Sequence, residues 1–407
     1  MNTVDTDIFV SGGGVAGLAA AAAFGSLGFR VVCADPAPPV TDEAAAGADL
    51  RTTAFLQPSV PVLEAAGIWP RLAPHAAPLG VMRIVDTGTD GMTPPVAHDF
   101  EASEISDQPF GWNLPNWLLR REMLARLDEL DTVSFRPGVA ATDLLNRSEE
   151  ALVTLSDGTR IRARLVVAAD GRESPMRAAA GIGARTIRYG QKALAFAVTH
   201  PIPHNGVSTE IHRSGGPFTL VPLPDRDGRP ASGVVWMERG PEVLRLAALP
   251  EAAFEDEMTR RSAHLFGPLR LATRRSVWPI ISRLADRFAA DRVALVAEAA
   301  HVVPPIGAQG LNMSLADIGT LAGLVSENRG DPGARPLLER YHRRRWPEVA
   351  ARVAGIDALN RASMAGAPVL GRLRARGVGV LHGIRPIRRT LMHAGLGAGR
   401  TLSRAAR

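Results

Sequence analysis

Apolar positions along this chain follow two patterns. Short, largely apolar runs at residues 8–10, 29–33, 165–169 and 293–296 each end in a glycine-rich or acidic turn. Runs of that length predict strands buried on both faces, as in a parallel sheet. Elsewhere apolar residues recur three and four apart, the helical period. This predicts an Ala-rich helix over 18–24 and another over 314–324. A helix over 117–130 carries Leu118, Leu119, Met123, Leu124 and Leu127 on one stripe, with Arg120 and Arg121 opposite.

Residues 133–163 alternate and contain two turn signals, 146–148 and 156–158, so a meander is expected there. Residues 49–55 lead into a helix-like stretch ending near Gly67, and 110–116 are expected to be a turn with two amides. Residues 82–86 read as a strand, followed by turn residues 87–91 and the pair Pro94-Pro95. From 189 to 281 the pattern is β-rich, with strands at 193–199, 208–212, 218–222 and 232–238 and a helix over 250–266. From 336 onward the chain is helical.

The first thirty-five residues organise the rest. Apolar 8–10 lead to Gly12-Gly13-Gly14-Val15-Ala16-Gly17, then the Ala-rich helix, a second strand and Asp35. This is the strand–turn–helix–strand–acid order of a dinucleotide-binding unit. Gly12 permits a sharp turn, Gly14 lets a pyrophosphate approach the backbone, and Gly17 lets helix and strand pack closely. The helix N-terminus offers free N–H groups and partial positive charge to phosphates. Asp35 is placed to accept from a ribose. The motif alone does not choose between NAD and FAD.

At 407 residues, with 46% hydrophobic and 22% charged positions, the chain reads as a globular protein of two or more lobes. No apolar run approaches the length of a membrane span, and no charged n-region or cleavage site signals a secretory leader. The single cysteine, Cys33, falls in an apolar strand, which excludes an internal disulfide and points to a reducing compartment. The net charge of +6 rests almost wholly on arginine, since Lys192 is the only lysine. After Asp357 there is no acidic residue, yet ten arginines follow. Nucleic-acid binding would rest on that arginine content alone and is not expected.

Two further segments carry chemistry. The strand at 165–169 ends in Asp170-Gly171, where a doubly wound sheet meets its ligand. The strand at 293–296 ends in Ala297-Glu298-Ala299-Ala300-His301, followed by Val302-Val303-Pro304-Pro305-Ile306-Gly307-Ala308-Gln309-Gly310-Leu311-Asn312 and a helix. Arg51 reads either as a ligand of a phosphate or substrate or as a surface arginine. His301 reads as a histidine ordering its loop rather than as a metal ligand.

Together, Gly12-x-Gly14-x-x-Gly17, Asp170-Gly171 and the 298–312 block resemble the single-component (class A) FAD-dependent aromatic monooxygenases of the para-hydroxybenzoate hydroxylase type. The resemblance covers nearly the whole chain. It is closest to the ubiquinone-biosynthesis hydroxylases, through Asp49-x-Arg51-Thr52-x-Ala54, the 111–116 segment, Tyr189-x-Gln191-x-Ala193, Asp357-x-Leu359-Asn360-Arg361 and 385–392. It implies an α/β fold: a doubly wound parallel-sheet FAD-binding domain (1–78, 111–184 and 283–340), an interleaved α+β substrate domain (79–110 and 185–282) and a helical, Arg-rich C-terminal region (341–407).

The resemblance also implies FAD, with NAD(P)H as a transient co-substrate. Gly12, Gly14, Val15, Ala16 and Gly17 would cradle the pyrophosphate and Asp35 the adenosine ribose. Arg51 and Arg120 would lie by the pyrophosphate or flavin, Asp170 near the pyrophosphate, and Glu298 at the ribityl or pyrophosphate region. Pro305, Gly307 and Gly310 would line the flavin, with the Leu311 and Asn312 N–H groups on its pyrimidine edge. Two positions depart from the family: Ala297-Glu298 replaces the usual Gly-Asp, and Trp117 stands where many relatives carry arginine. The implied reaction is hydroxylation of a polyprenylated phenol by O2 through a C4a-hydroperoxyflavin. The alternatives are a soluble aromatic or polyketide substrate, or a flavin-free scaffold in a biosynthetic complex. Residues 380, 384, 387 and 391 recur at helical spacing among arginines. They form either a basic segment docking on anionic membrane or a complex, or a helix packed on the FAD domain. The location expected is cytoplasmic or peripheral to the inner membrane.

Overall fold

The computed structural model describes residues 2–87, 96–213, 215–364 and 382–396. Its central sheet runs in the order Val293–Leu295, Arg160–Ala168, Thr3–Ser11, Val31–Asp35, Val133–Pro137, all parallel. Ile8 stands opposite both Leu165 and Val31, and Val10 opposite Val167 and Cys33. These side chains are fully or almost fully buried, so the sheet has no solvated side to alternate toward. The helix Val15–Ser26 buries nearly its whole circumference. Its run of alanines lets it fit between the sheet and the helices Asn116–Asp128 and Gln309–Glu327.

The 133–163 reading is corrected by this sheet. Val133–Pro137 is not part of a meander but the outer parallel strand beside Val31–Asp35. The meander consists of Ala141–Asn146, Ala151–Leu155 and Arg160–Ala168, and the last is one continuous strand rather than two. The expected turn at 110–116 is also a strand: Gly111–Pro115 pairs with Thr52–Leu56 on one side and Ala77–Leu79 on the other. Asn113 is fully buried there, and its amide donates to the Pro222 carbonyl at 2.9 Å. Proline and asparagine suggested a turn, but tertiary pairing overrode that local preference.

A second sheet runs His301–Val302, Ser276–Ala285, Ala184–Thr199, Arg229–Arg239, Phe218–Arg226, Val207–His212, Val81–Asp86, Val96–Glu101. Leu194, Phe196, Phe218, Trp236 and Phe254 fill the core on one face. Two helices cover it, Gly240–Ala248 and Glu251–Arg261, where the sequence predicted one. The turn residues and proline pair read at 88–95 lie outside the described residues, as do the arginines at 372–376 and 400–407.

The helix Arg335–Met364 buries Tyr341, Arg345, Val349, Val353 and Ile356, and its Trp346 indole donates to the Ala285 carbonyl at 2.9 Å. The helix Arg385–Leu396 seats Met392 and Leu396 against Leu56, Ala102 and Phe110. Arg388 pairs with Glu104 at 2.6 Å. Ile387, Leu391, Arg385 and Arg389 remain exposed. Among the described residues no helix is long and apolar enough to cross a membrane.

Candidate active site

The three motif glycines meet three different constraints. Gly12 has φ +109°, and a side chain there would also press on the Ala169 carbonyl. A methyl group on Gly17 would lie 1.8 Å from the Gly12 carbonyl oxygen, so only glycine lets the helix start this close to the turn. A methyl group on Gly14 would meet nothing within 4 Å among the described residues. That open space lies at the uncapped N-terminus of Val15–Ser26, whose first N–H groups have no intrahelical partner. The Gln309–Glu327 helix also starts without a side-chain cap, and Gly310 faces open space as well. Two free helix N-termini with open approach fit an anionic dinucleotide.

Asp35 ends its strand with one carboxylate oxygen accepting from the Gly13 N–H at 2.5 Å and the other from the Ala37 N–H at 2.8 Å. It thereby closes the glycine turn. Asp170 accepts from the Ser174 hydroxyl and, at 3.0 Å, from the Met176 N–H. It anchors the helix Pro175–Ala179, and burial raises its pKa despite these bonds. Glu298 lies on a 3-10 turn, Ala297–Ala299, and pairs with Arg172 at 3.2 Å. The sequence alone does not single out Arg172, although it directly follows the Asp170-Gly171 pair.

Arg51 is no free surface arginine. It forks onto the Asp49 carboxylate at 2.7 and 2.8 Å, and its guanidinium stacks 4.0 Å from the centre of the Trp278 ring. Asn116 and Arg120 reach the same carboxylate at 3.1 and 3.4 Å. Burial alone would raise the Asp49 pKa, but these partners hold it below the ordinary carboxylate value. The cluster ties the segment after the glycine unit to the second sheet, and the Trp278 indole N–H has no partner among the described residues. Trp117 has its ring near Arg121 and takes no part in this cluster.

The 303–312 loop is held from both ends. The Asn312 amide donates to the Ala54 and Ala308 carbonyls at 2.7 and 2.6 Å, and its oxygen accepts from the Leu56 N–H and the Ser59 hydroxyl. Its side chain is therefore spent on positioning the helix start, which leaves the backbone N–H groups of the first turn to a ligand. Pro305 is exposed at the crest of the loop, and Gly307 takes φ +63°. Ile306 packs against Ala193, Met237 and Ile280 of the second sheet, together with Tyr189 and Val235. The loop thus faces an apolar wall.

Behind the loop lies a buried ionic group. Asp317, fully buried, meets His301 Nε2 at 2.7 Å and Arg345 Nε at 2.8 Å. His301 orders its loop through this contact. A lone acid among Leu315, Ile318 and Leu321 was the signal in the sequence that a buried partner must exist.

Ala297 has φ +56° and Ala308 φ +54°, a region that L-residues occupy at a cost of about 1–2 kcal/mol. The departure at 297 therefore bears on backbone torsion rather than on close approach. Ala297→Gly is expected to stabilise the fold by about 0.5–1 kcal/mol after the extra entropy of glycine is deducted. A denaturant midpoint that falls would contradict this.

Comparison with known proteins agrees with this geometry. The FAD binding domain family matches residues 5–355. The ubiquinone hydroxylase UbiL of Rhodospirillum rubrum is 35% identical over 396 residues, covering 96% of this chain and 89% of that protein. The 3-demethoxyubiquinol 3-hydroxylase of Escherichia coli is 26% identical, covering 88% and 90%. Among solved structures, p-nitrophenol 4-monooxygenase PnpA from Pseudomonas putida superposes with a TM-score of 0.79 at 19% identity, covering 98% of this chain and all of that one. The glycine cradle, the second free helix start and these relatives lead to one assignment: the chain belongs to the FAD binding domain family and is an FAD-dependent monooxygenase.

Proposed function

We propose that this monooxygenase hydroxylates the aromatic ring of a polyprenylated phenol in ubiquinone biosynthesis, with NAD(P)H and O2 as co-substrates. The observation that carries the reading is the apolar wall of Ala193, Val235, Met237 and Ile280 facing Ile306 of the helix-start loop. It offers an apolar ring a place beside the loop that the flavin would share. The names of the UbiL and E. coli relatives supply the substrate class. The chemistry that FAD supplies when bound is hydride acceptance from NAD(P)H and transfer of one oxygen atom from O2 to the ring.

The chain's own residues would do the rest. The Val15 and Ala16 N–H groups, with Gly12, Gly14 and Gly17, would hold the pyrophosphate, and Asp35 would hold the ribose. Asp170 and Glu298, the latter through Arg172, would shape the pyrophosphate side. Arg51 and Arg120 would flank the flavin, and Pro305, Gly307 and Gly310 would line it. The Leu311 and Asn312 N–H groups would stabilise negative charge at its pyrimidine edge. We assign 1–78, 111–184 and 283–340 to FAD binding, 79–110 and 185–282 to substrate binding, and 341–407 to the C-terminal region.

The purified protein should show a flavin spectrum that bleaches with NADH under anaerobic conditions, faster when a one-isoprene prenylphenol is present. A colourless protein that refuses added FAD would sink the reading. The exposed Ile387, Leu391, Arg385 and Arg389 on the Arg385–Leu396 helix further support docking on anionic membrane, where a polyprenylated substrate resides. Arg385→Glu combined with Arg389→Glu should cut co-sedimentation with anionic vesicles several-fold; unchanged binding refutes the membrane contact.

A further inference from the structure

The strand Ala184–Thr199 loses its pairing with Ser276–Ala285 between Arg188 and Lys192. Gly190 takes φ +68° inside this irregularity. Bulges of this kind re-aim side chains and gather near active sites. Here the two residues flanking the glycine are both held by one helix, Arg335–Met364. The Tyr189 hydroxyl donates to Asp357 at 2.6 Å, and the Asn360 amide donates to the Gln191 side-chain oxygen at 2.9 Å. Asp357 and Asn360 stand three apart, so they project from one face of the helix. Gln191 passes the contact on to the Gly215 carbonyl at 2.7 Å. Gln191 and Asn360 are almost completely buried; both ends of the Gln191 amide are matched, while the Asn360 side-chain oxygen has no partner among the described residues.

Tyr189 has two sides. One packs with the Ala193, Met237, Ile280 and Ile306 group. The other lines a surface cavity of about 310 Å³ together with Arg188, Arg361 and Met364. The tyrosine is therefore a wall between solvent and the apolar face opposite the helix-start loop. An antiparallel strand pair needs no helix to hold it, so this double attachment calls for another reason.

We propose that Asp357 and Asn360 are positioning residues for hydroxylation: they clamp the bulge so that Tyr189 closes the ring-binding pocket against water. The inference rests on the substrate reading above. A closed pocket directs the reaction NAD(P)H + H⁺ + O2 + ArH → NAD(P)⁺ + ArOH + H2O. A leaking one loses the same two electrons as NAD(P)H + H⁺ + O2 → NAD(P)⁺ + H2O2, with the ring untouched.

The clamp can be read by spectroscopy, because the chain has only two tyrosines. Tyr341 is fully buried and bonded to the Leu295 carbonyl. Around Tyr189 stand Asp357 and Arg361 on the helix, Ser282 on the neighbouring strand and Arg188 on its own. Burial and the Asp357 carboxylate push its pKa up to about 12, against Ser282 and Arg361. In FAD-loaded Asp357→Asn the Tyr189 phenolate should appear nearer the ordinary value of about 10.

With a one-isoprene prenylphenol as probe, Asp357→Asn and Asn360→Ala should each lower hydroxylated product per NADH several-fold and raise H2O2 to match. FAD affinity should stay within about twofold. Tyr189→Phe keeps the ring but frees it from Asp357, and should uncouple in the same direction. Unchanged coupling in both helix variants overturns the clamp, as does uncoupling that merely follows loss of FAD. If the wild type binds the probe, read as a shift of its flavin spectrum, but does not hydroxylate it, the substrate reading fails alone. The clamp is then judged by probe affinity, expected to fall about tenfold in Asp357→Asn and refuted if unchanged. A wild type whose flavin spectrum ignores the probe overturns both.

Discussion

Replacing Asp317 with asparagine is expected to cost about 3–5 kcal/mol of folding stability, the usual effect of removing one partner from a buried ionic group. The carboxylate is fully buried and serves His301 and Arg345 at 2.7 and 2.8 Å, with the Ala297 N–H a further 3.4 Å contact. Asparagine keeps the shape but withdraws the charge, leaving the Arg345 guanidinium almost wholly buried against fewer acceptors. Glu348 and the Met313 carbonyl remain to it, which sets the loss toward the lower end of that range. Burial alone would raise the Asp317 pKa, but His301 and Arg345 outweigh it and hold the group below the ordinary carboxylate value. A depressed folded-state pKa gives stability that is fully present above the unfolded value of about 4 and is lost as pH falls through the folded value. The gap between wild type and Asp317→Asn should therefore be widest near neutral pH and close in acid. Urea unfolding of both proteins at neutral and acid pH measures this; a gap that does not narrow in acid contradicts it. Because Asp317 braces the turn carrying Glu298, FAD affinity should fall with it.

Gly17→Ala should abolish measurable FAD binding or weaken it by well over tenfold. The added methyl would sit 1.8 Å from the Gly12 carbonyl oxygen, and a backbone atom cannot step aside as a flexible side chain can. Relief requires the Val15–Ser26 helix to move off the turn, an overpacking cost of about 1–3 kcal/mol or more in stability as well. Gly14→Ala is the informative companion. Its methyl meets nothing within 4 Å of protein, so the apoprotein should keep its unfolding midpoint. If a pyrophosphate uses that space, FAD affinity alone should drop. Fluorescence titration with FAD and denaturant unfolding separate the two effects. A Gly14→Ala protein that binds FAD like wild type would mean that the open space serves something else.

Much of the site was legible because its signals are local. Gly12, Gly14, Gly17 and Asp35 lie within one strand–helix–strand unit, where spacing in sequence is nearly spacing in space. The strand ends at Asp170 and Glu298 were legible for the same reason. The segment at 110–116 misled, because its proline and asparagines describe a turn locally while Thr52–Leu56 and Ala77–Leu79 pair with it from far away. Alternation alone assigns Val133–Pro137 to the meander, because it does not reveal which strand will lie alongside.

By itself, then, the sequence determined the dinucleotide unit, the helix-start loop, the family and hence the flavin chemistry, all from patterns that short-range geometry fixes. Only the tertiary structure decided that Arg51 stacks on Trp278 from more than two hundred residues away, and that Ile306 faces the Met237–Ile280 wall. It alone joined Asp317 to His301 and Arg345, and brought Tyr189 and Gln191 under Asp357 and Asn360. The reason is physical: a buried polar group must find a partner, but its own segment says only that one is needed. The packing of the whole chain selects which one.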